Sequence, residues 1–240
     1  MRPLERPPRP GALSLLSAGE ISVRGRLPWS SNGTFLVDLC LGGETGRAVY
    51  KPLAGERPLW DYPRGLYRRE VAAYLVSDWL GWCLVPETVE RDGPLGEGSV
   101  QRFVEARFEE HYFTLLERPE HHDGLKAVCA FDLLVNSGDR KSGHLLLDGD
   151  GRIWGIDNGL CLHDEPRLRT VIWDFEGQPV PDHLMEGVAR LALCAAPPPG
   201  LAGLVSPPEW EALVARAAAL VKRPVFPPAR SARAFPWPLV

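Results

Sequence analysis

The segment NSGDRKSGHLLLDGDGRIWGIDNGL, residues 136–160, places Asp139 in a polar loop, His144 five residues on, and Asp157 at the end of a returning hairpin. Phosphoryl transfer needs such parts: a carboxylate to orient an attacking hydroxyl, and ligands that hold a divalent metal on the phosphates. Asp139 fits the first role, and Asp157 with His144 the second. Imidazole suits Mn²⁺ better than Mg²⁺, which prefers oxygen ligands, so a metal-bound His144 implies Mn²⁺ preference or weak turnover. The alternative keeps His144 off the metal and hydrogen-bonded to the loop. Lys51 supplies a cation. It ends the apolar strand RAVYK in a chain with only four lysines, and a buried ammonium must face something negative. Phosphate is one such partner, and Glu70, in the helical stretch LYRREVAAYL, is the candidate to hold the lysine in place.

The elements that must position these residues fall into two groups. Residues 20–27, 33–41 and 47–53 read as strands joined by SSNG and GGETG turns. Apolar residues at helical spacing follow over 66–80, with Gly81 as the stop. Strands at 84–90 and 99–105 flank the turn RDGPLGEG. Further on come a helix over 123–136 started by Asp123 as N-cap, a hairpin of 145–148 with 152–156, and helices near 181–194 and 207–222. Residues 1–12 are expected to form a disordered arm. From 223 a proline-rich tail follows, in which Phe226, Phe235 and Trp237 are positioned to dock on the body. The layout is α+β and bilobal, with a small β-rich N-lobe over 13–105 and a mainly helical C-lobe over 106–222.

GDRKSGH with the downstream GIDNGLCL resembles the GDRHxxN…IDxG segment of phosphatidylinositol 3- and 4-kinases, and also the corresponding part of HipA-type kinases. Together with LRTVIW at 168–173 it is similar to an uncharacterised actinobacterial family described as phosphatidylinositol-kinase-like, over most of residues 15–220. The resemblance implies a protein-kinase-like (phosphatidylinositol-kinase-like) fold that uses ATP with Mg²⁺ or Mn²⁺. It implies Asp139, Lys51 and Glu70 as catalytic residues and Asp157 with His144 at the metal. His144 replaces the usual asparagine, and Asp157 is followed by Asn158, which puts ordinary turnover in doubt. No G-x-G-x-x-G is present, as in that group; the turn LPWSSNG offers Ser30, Ser31, Asn32 and Gly33 to the phosphates instead. The strand SVQRFVEA lies where an interlobe hinge belongs, so backbone groups of Arg102, Phe103 and Val104 are expected at the adenine, under Val49. Arg167 and Arg169 stand ready for an anionic acceptor, and Asp132 and Asn136 to brace the loop.

Composition narrows the field. The 240 residues carry a net charge of −4, without the basic stripe of a nucleic-acid binder. No apolar run approaches the roughly 20 residues of a membrane span, and the short ALSLLSA run lacks a cleavage site. Five scattered cysteines without a CxxC pair point to reduced thiols and a cytoplasmic location. The expectation is a monomeric ATP-dependent phosphotransferase whose acceptor is a protein hydroxyl, a lipid or a small molecule. A catalytically weak nucleotide-binding pseudokinase and a nucleotidyl transferase on the same fold are the alternatives.

Overall fold

The computed structural model describes residues 11–28, 30, 32–229 and 231–239. The expected N-terminal arm lies outside the described residues apart from its last two. Ala12 belongs not to an arm but to a helix that the sequence reading left unassigned: ALSLLSA forms α1 (Ala12–Ala18), with Leu15 and Leu16 buried against the sheet. A helix of seven residues is too short to hold itself together in water, so tertiary packing stabilises it.

The sheet contains β1 (Glu20–Arg26), β2 (Phe35–Leu41), β3 (Glu44–Pro52), β4 (Thr88–Gly93) and β5 (Gly96–Arg102), in the order β1-β2-β3-β5-β4. Every neighbouring pair is antiparallel. Ala48 and Tyr50 of β3 are buried in one cluster with Val37, Leu39 and Val100 beneath α1. Strand alternation therefore turns Val49 and Lys51 to the opposite face. The last two strands are shifted from the expected 84–90 and 99–105. Pairing runs on through Asp92–Glu97 to Gly93–Gly96, because backbone ladders tolerate polar and glycine residues that hydrophobic patterning reads as turn.

Between β3 and the next helix the chain makes a pinned excursion. Helix α2 (Leu66–Trp79) begins after Gly65, and the Glu56 carboxylate accepts the N–H groups of Gly65 (2.9 Å) and Tyr67 (2.8 Å). This caps the helix from outside its own sequence neighbourhood. Beyond β5 lies a short helix that sequence patterning did not reveal, α3 (Tyr112–Leu116). Helix α4 (His122–Val135) follows, with Asp123 in its first turn rather than at its N-cap. It stops at Asn136, whose φ of 56° is left-handed.

Strands β6 (Leu145–Leu147) and β7 (Ile153–Gly155) form the expected hairpin, and α5 (Asp182–Ala192) and α6 (Pro207–Lys222) the expected helix pair. Residues of α2, α4, α5 and α6, among them Tyr74, Phe131, Leu184 and Leu213, share the larger of two apolar cores. The tail docks in part. Phe226 is buried against Phe175, and Phe235 packs on Trp173, whereas Trp237 stays exposed. Leu239 O accepts the Ser142 N–H at 2.8 Å, and Ala234 O accepts that of Thr170 at 3.0 Å. Among the described residues no helix is long and apolar enough to cross a membrane.

Candidate functional site

Lys51 lies at the end of β3 on the face away from α1, and α2 passes it with Glu70. The Lys51 ammonium donates to Glu70 Oε1 and, at 2.8 Å, to Asp157 Oδ1. The other oxygen of Glu70 accepts the Asn158 N–H at 3.0 Å. One glutamate from α2 thus ties the lysine of the sheet to the loop after β7. Burial pushes Lys51 towards neutrality, but Asp157 and Glu70 outweigh it and raise its pKa. In return the Lys51 ammonium holds the Asp157 carboxyl well below the usual carboxylate range.

Asp157 sits at φ 57°, a left-handed conformation that costs energy for a non-glycine residue. Arg140 braces it from both sides. Its guanidinium donates to Ile156 O (2.6 Å) and to Asn158 Oδ1 (2.6 Å), while Nε donates to Asp132 (3.0 and 3.2 Å). Asp132 also accepts from Thr170 Oγ1 at 2.9 Å. Arg140 and Asp132 are both completely buried. Asn136 holds the next segment, donating to His163 O and Glu165 O and accepting the Arg167 N–H. The bracing expected of Asp132 and Asn136 is present. The central role of Arg140 was missed, because an arginine inside DRK reads as a solvated loop charge.

Asp139 is half-buried, with Lys141 Nζ 3.5 Å from its Oδ2. Burial raises its pKa, with Asp157 acting in the same direction and Lys141 against it. His144 turns its Nε2 to Asp157 Oδ2 at 3.3 Å, and its Nδ1 accepts the Lys141 N–H at 3.3 Å. A neutral ring with an accepting Nδ1 carries its proton on Nε2 and so donates to Asp157. His144 thus bridges the loop at Lys141 and the carboxylate of Asp157.

Burial, reinforced by Arg140, Lys51 and Lys141, lowers His144 to about 4 against the pull of Asp157. A folded-state pKa below the ordinary 6.5 contributes stability above pH 6.5, which is lost as pH falls towards 4. In metal-free buffer, wild type should lose on the order of 3 kcal/mol more than His144→Asn between pH 7 and 4. Parallel urea-denaturation curves for the two proteins across that range would refute the burial of a neutral ring.

A cleft of about 340 Å³ joins Lys51, Glu70, Asp139 and Asp157 to Ser30 and residues 32–34 of the turn between β1 and β2. Ser31 lies outside the described residues. Val49 shares the Lys51 face of β3, but neither it nor Arg102, Phe103 or Val104 lines this cleft. The Arg102 and Phe103 N–H groups already donate to Glu87 O (2.8 Å) and Arg47 O (3.0 Å). The Arg102 side chain pairs with Glu87 and lies over Trp154. Arg167, one of two arginines expected to face an acceptor, is tied to Asp61 and Glu165 (3.5 and 2.8 Å), whereas Arg169 is exposed.

The Asp157 carboxylate facing the cleft suits a hard divalent cation that takes its remaining oxygens from phosphates and water. Among the described residues no group of three or more His, Cys, Asp or Glu side chains is arranged to hold a metal ion.

No protein-family model matches the chain. Among solved structures, that of hydra Fam20 with sugar superposes with a TM-score of 0.58 at 12% identity, covering 88% of this chain and 87% of that one. The Helicobacter pylori proinflammatory kinase CtkA superposes with a TM-score of 0.47 at 14% identity, over 88% of this chain and 94% of that one. The likeness to Fam20 shows the fold, a mixed α/β arrangement with an antiparallel sheet and several helices. In sequence the chain is 40% identical over 261 aligned positions to Protein Rv2133c of Mycobacterium tuberculosis, with 94% of each chain covered. At that identity over nearly the full length of both, the chain belongs to the family of Rv2133c.

Proposed function

We propose that this protein is an ATP-dependent phosphotransferase. The observation that carries the reading is the junction of Lys51 with Glu70 and Asp157 in a cleft that also contains Asp139. Lys51 holds nucleotide phosphates, and Glu70 keeps its ammonium in place. Asp139 accepts a hydrogen bond from the acceptor hydroxyl and takes its proton as the new bond to the γ-phosphorus forms, while the bond to the β,γ-bridging oxygen breaks and ADP leaves with that electron pair. Asp157 is the principal metal ligand, and His144 orients it by donating to Oδ2. Bound Mg²⁺ or Mn²⁺ would neutralise charge shared by the β- and γ-phosphates. The adenine lies beyond the described cleft lining, at backbone groups around Arg102, Phe103 and Val104 and beneath Val49. This reading includes the two lobes divided near residue 105 and, on the residues of GDRKSGH and IDNG, a place beside the phosphatidylinositol 3- and 4-kinases.

A second reading, a nucleotide-binding regulatory module without turnover, is favoured by one observation. Both Asp157 oxygens already have partners, Lys51 and His144. A thermal-stability titration with ATP and Mg²⁺ or Mn²⁺, followed by transfer from γ-labelled ATP, separates the two. Ligand at 100-fold over its Kd adds about 2.7 kcal/mol, a midpoint rise of about 5–10 °C for a chain of this size. Asp157→Ala should abolish the metal-dependent part of that rise. A shift with transfer from neither γ- nor α-labelled ATP supports the regulatory module. No shift with either metal, from folded protein, removes both readings.

A further inference from the structure

Arg57 also lines the cleft that holds Lys51, Asp139 and Asp157, and the rest of the site gives it nothing to do. It belongs to the excursion between β3 and α2, where no patterning marks it as functional. Its backbone is nonetheless fixed to the turn between β1 and β2. The Arg57 N–H donates to Asn32 Oδ1 at 3.1 Å, and the Gly33 N–H donates to Gly55 O at 2.8 Å. The two backbones touch at Gly33 and Gly55: a Cβ on Gly33 would lie 2.8 Å from Gly55 Cα, so a side chain there would force the segments apart. On its other flank Glu56 is anchored to the start of α2. Arg57 is thus carried by a rigid bracket between the turn over the cleft and the helix that carries Glu70.

Its charge is uncommitted. The carboxylates at the cleft are Glu56, Glu70, Asp139 and Asp157, and its cations are Lys51 and Arg57. Lys51 is shared between Glu70 and Asp157, and Glu56 is engaged by backbone N–H groups. The exposed Arg57 guanidinium has no carboxylate partner among the described residues. A cleft with four carboxylates and one committed lysine repels a polyphosphate, and an uncommitted protein cation would share with the metal in offsetting that repulsion. A guanidinium is always charged and presents a planar fork that matches phosphate oxygens.

We infer that Arg57 is a phosphate-binding residue that grips the polyphosphate of the nucleotide together with Lys51. This rests on the nucleotide reading above and adds to it a second cation, from the excursion between β3 and α2.

The test is calorimetric titration of wild type and Arg57→Ala with ATP plus Mg²⁺ and, separately, with AMP. Loss of a charge-assisted contact to the β- or γ-phosphate should weaken ATP about tenfold and leave AMP within about twofold. Arg57→Lys should recover part of the ATP affinity, as a point charge without the fork. Because the side chain is exposed, an unchanged melting midpoint is expected and checks the fold. Equal ATP affinity in Arg57→Ala and a binding-competent wild type overturns this inference and leaves the phosphotransferase reading standing. An equal loss for AMP and ATP also overturns it. Wild type that binds neither nucleotide overturns both.

Discussion

Asp139→Asn should lower phosphate release from ATP by about 10³-fold, within the 10²–10⁴ range typical of a general acid–base group, and change ATP affinity less than about twofold. Asparagine preserves the volume and one acceptor oxygen, so the cleft keeps its shape. It removes the capacity to take a proton. Burial has already raised Asp139 above an ordinary carboxylate, which makes it a better base than an exposed aspartate. Lys141, 3.5 Å away, opposes that shift and favours the ionised form. Phosphate release needs no knowledge of the acceptor, and nucleotide binding is read separately by calorimetry. If Asp139→Asn released phosphate at the wild-type rate, Asp139 would be a loop residue, and the chemistry would have to be reassigned to Asp157.

Arg140→Met should be the most destabilising single change at the site, costing about 3–5 kcal/mol, the loss expected when one partner of a buried ion pair is removed. The reason is the partner left behind. Asp132 is fully buried, and burial raises its pKa while Arg140 and Thr170 hold it down. Without the guanidinium, Asp132 must take up a proton or stay charged in an apolar core, and Ile156 O and Asn158 Oδ1 each lose a donor. Asp132→Asn combined with Arg140→Met removes the stranded charge and should recover part of the loss. Urea denaturation of both variants measures this directly. A cost below about 1 kcal/mol for the single variant would show that the network is compensated, since a whole domain is stable by only about 5–15 kcal/mol.

These two expectations concern residues of different legibility. Asp139 stood out because a carboxylate in a polar loop, five residues before a second candidate ligand and ahead of a hairpin ending in Asp157, has few other uses. Arg140, its immediate neighbour, did not. Nothing in DRK distinguishes a guanidinium pointing to solvent from one turned completely inward, and its partner Asp132 lies on the preceding helix. Strand and helix positions were legible for a similar reason. The apolar stretches of β2, β3, α2 and α4 carry their own periodicity, whereas α1 and α3, of seven and five residues, are too short to show one. The Asp123 cap failed on a finer point, since first-turn and N-cap aspartates both suit the helix dipole.

The sequence by itself determined the α+β class, the order of the longer elements and the place of Lys51 at the end of an apolar strand, where its ammonium must face something negative. It also determined the polar loop and hairpin that carry Asp139, His144 and Asp157. Each follows from covalent neighbourhood: alternation in a strand, spacing along a helix, glycine and aspartate in turns. Only the tertiary structure decided that Glu70 spans Lys51 and the Asn158 backbone, that Arg140 braces both flanks of Asp157, and that Glu56 caps α2. It alone brought Gly55 against Gly33, leaving Arg57 at the cleft. These pairings join residues far apart in the chain, or fix the direction of a side chain whose neighbours come from elsewhere. Hydrophobic patterning specifies which residues leave water, not which polar partners they meet once there; shape and hydrogen-bond satisfaction in the packed interior make that choice.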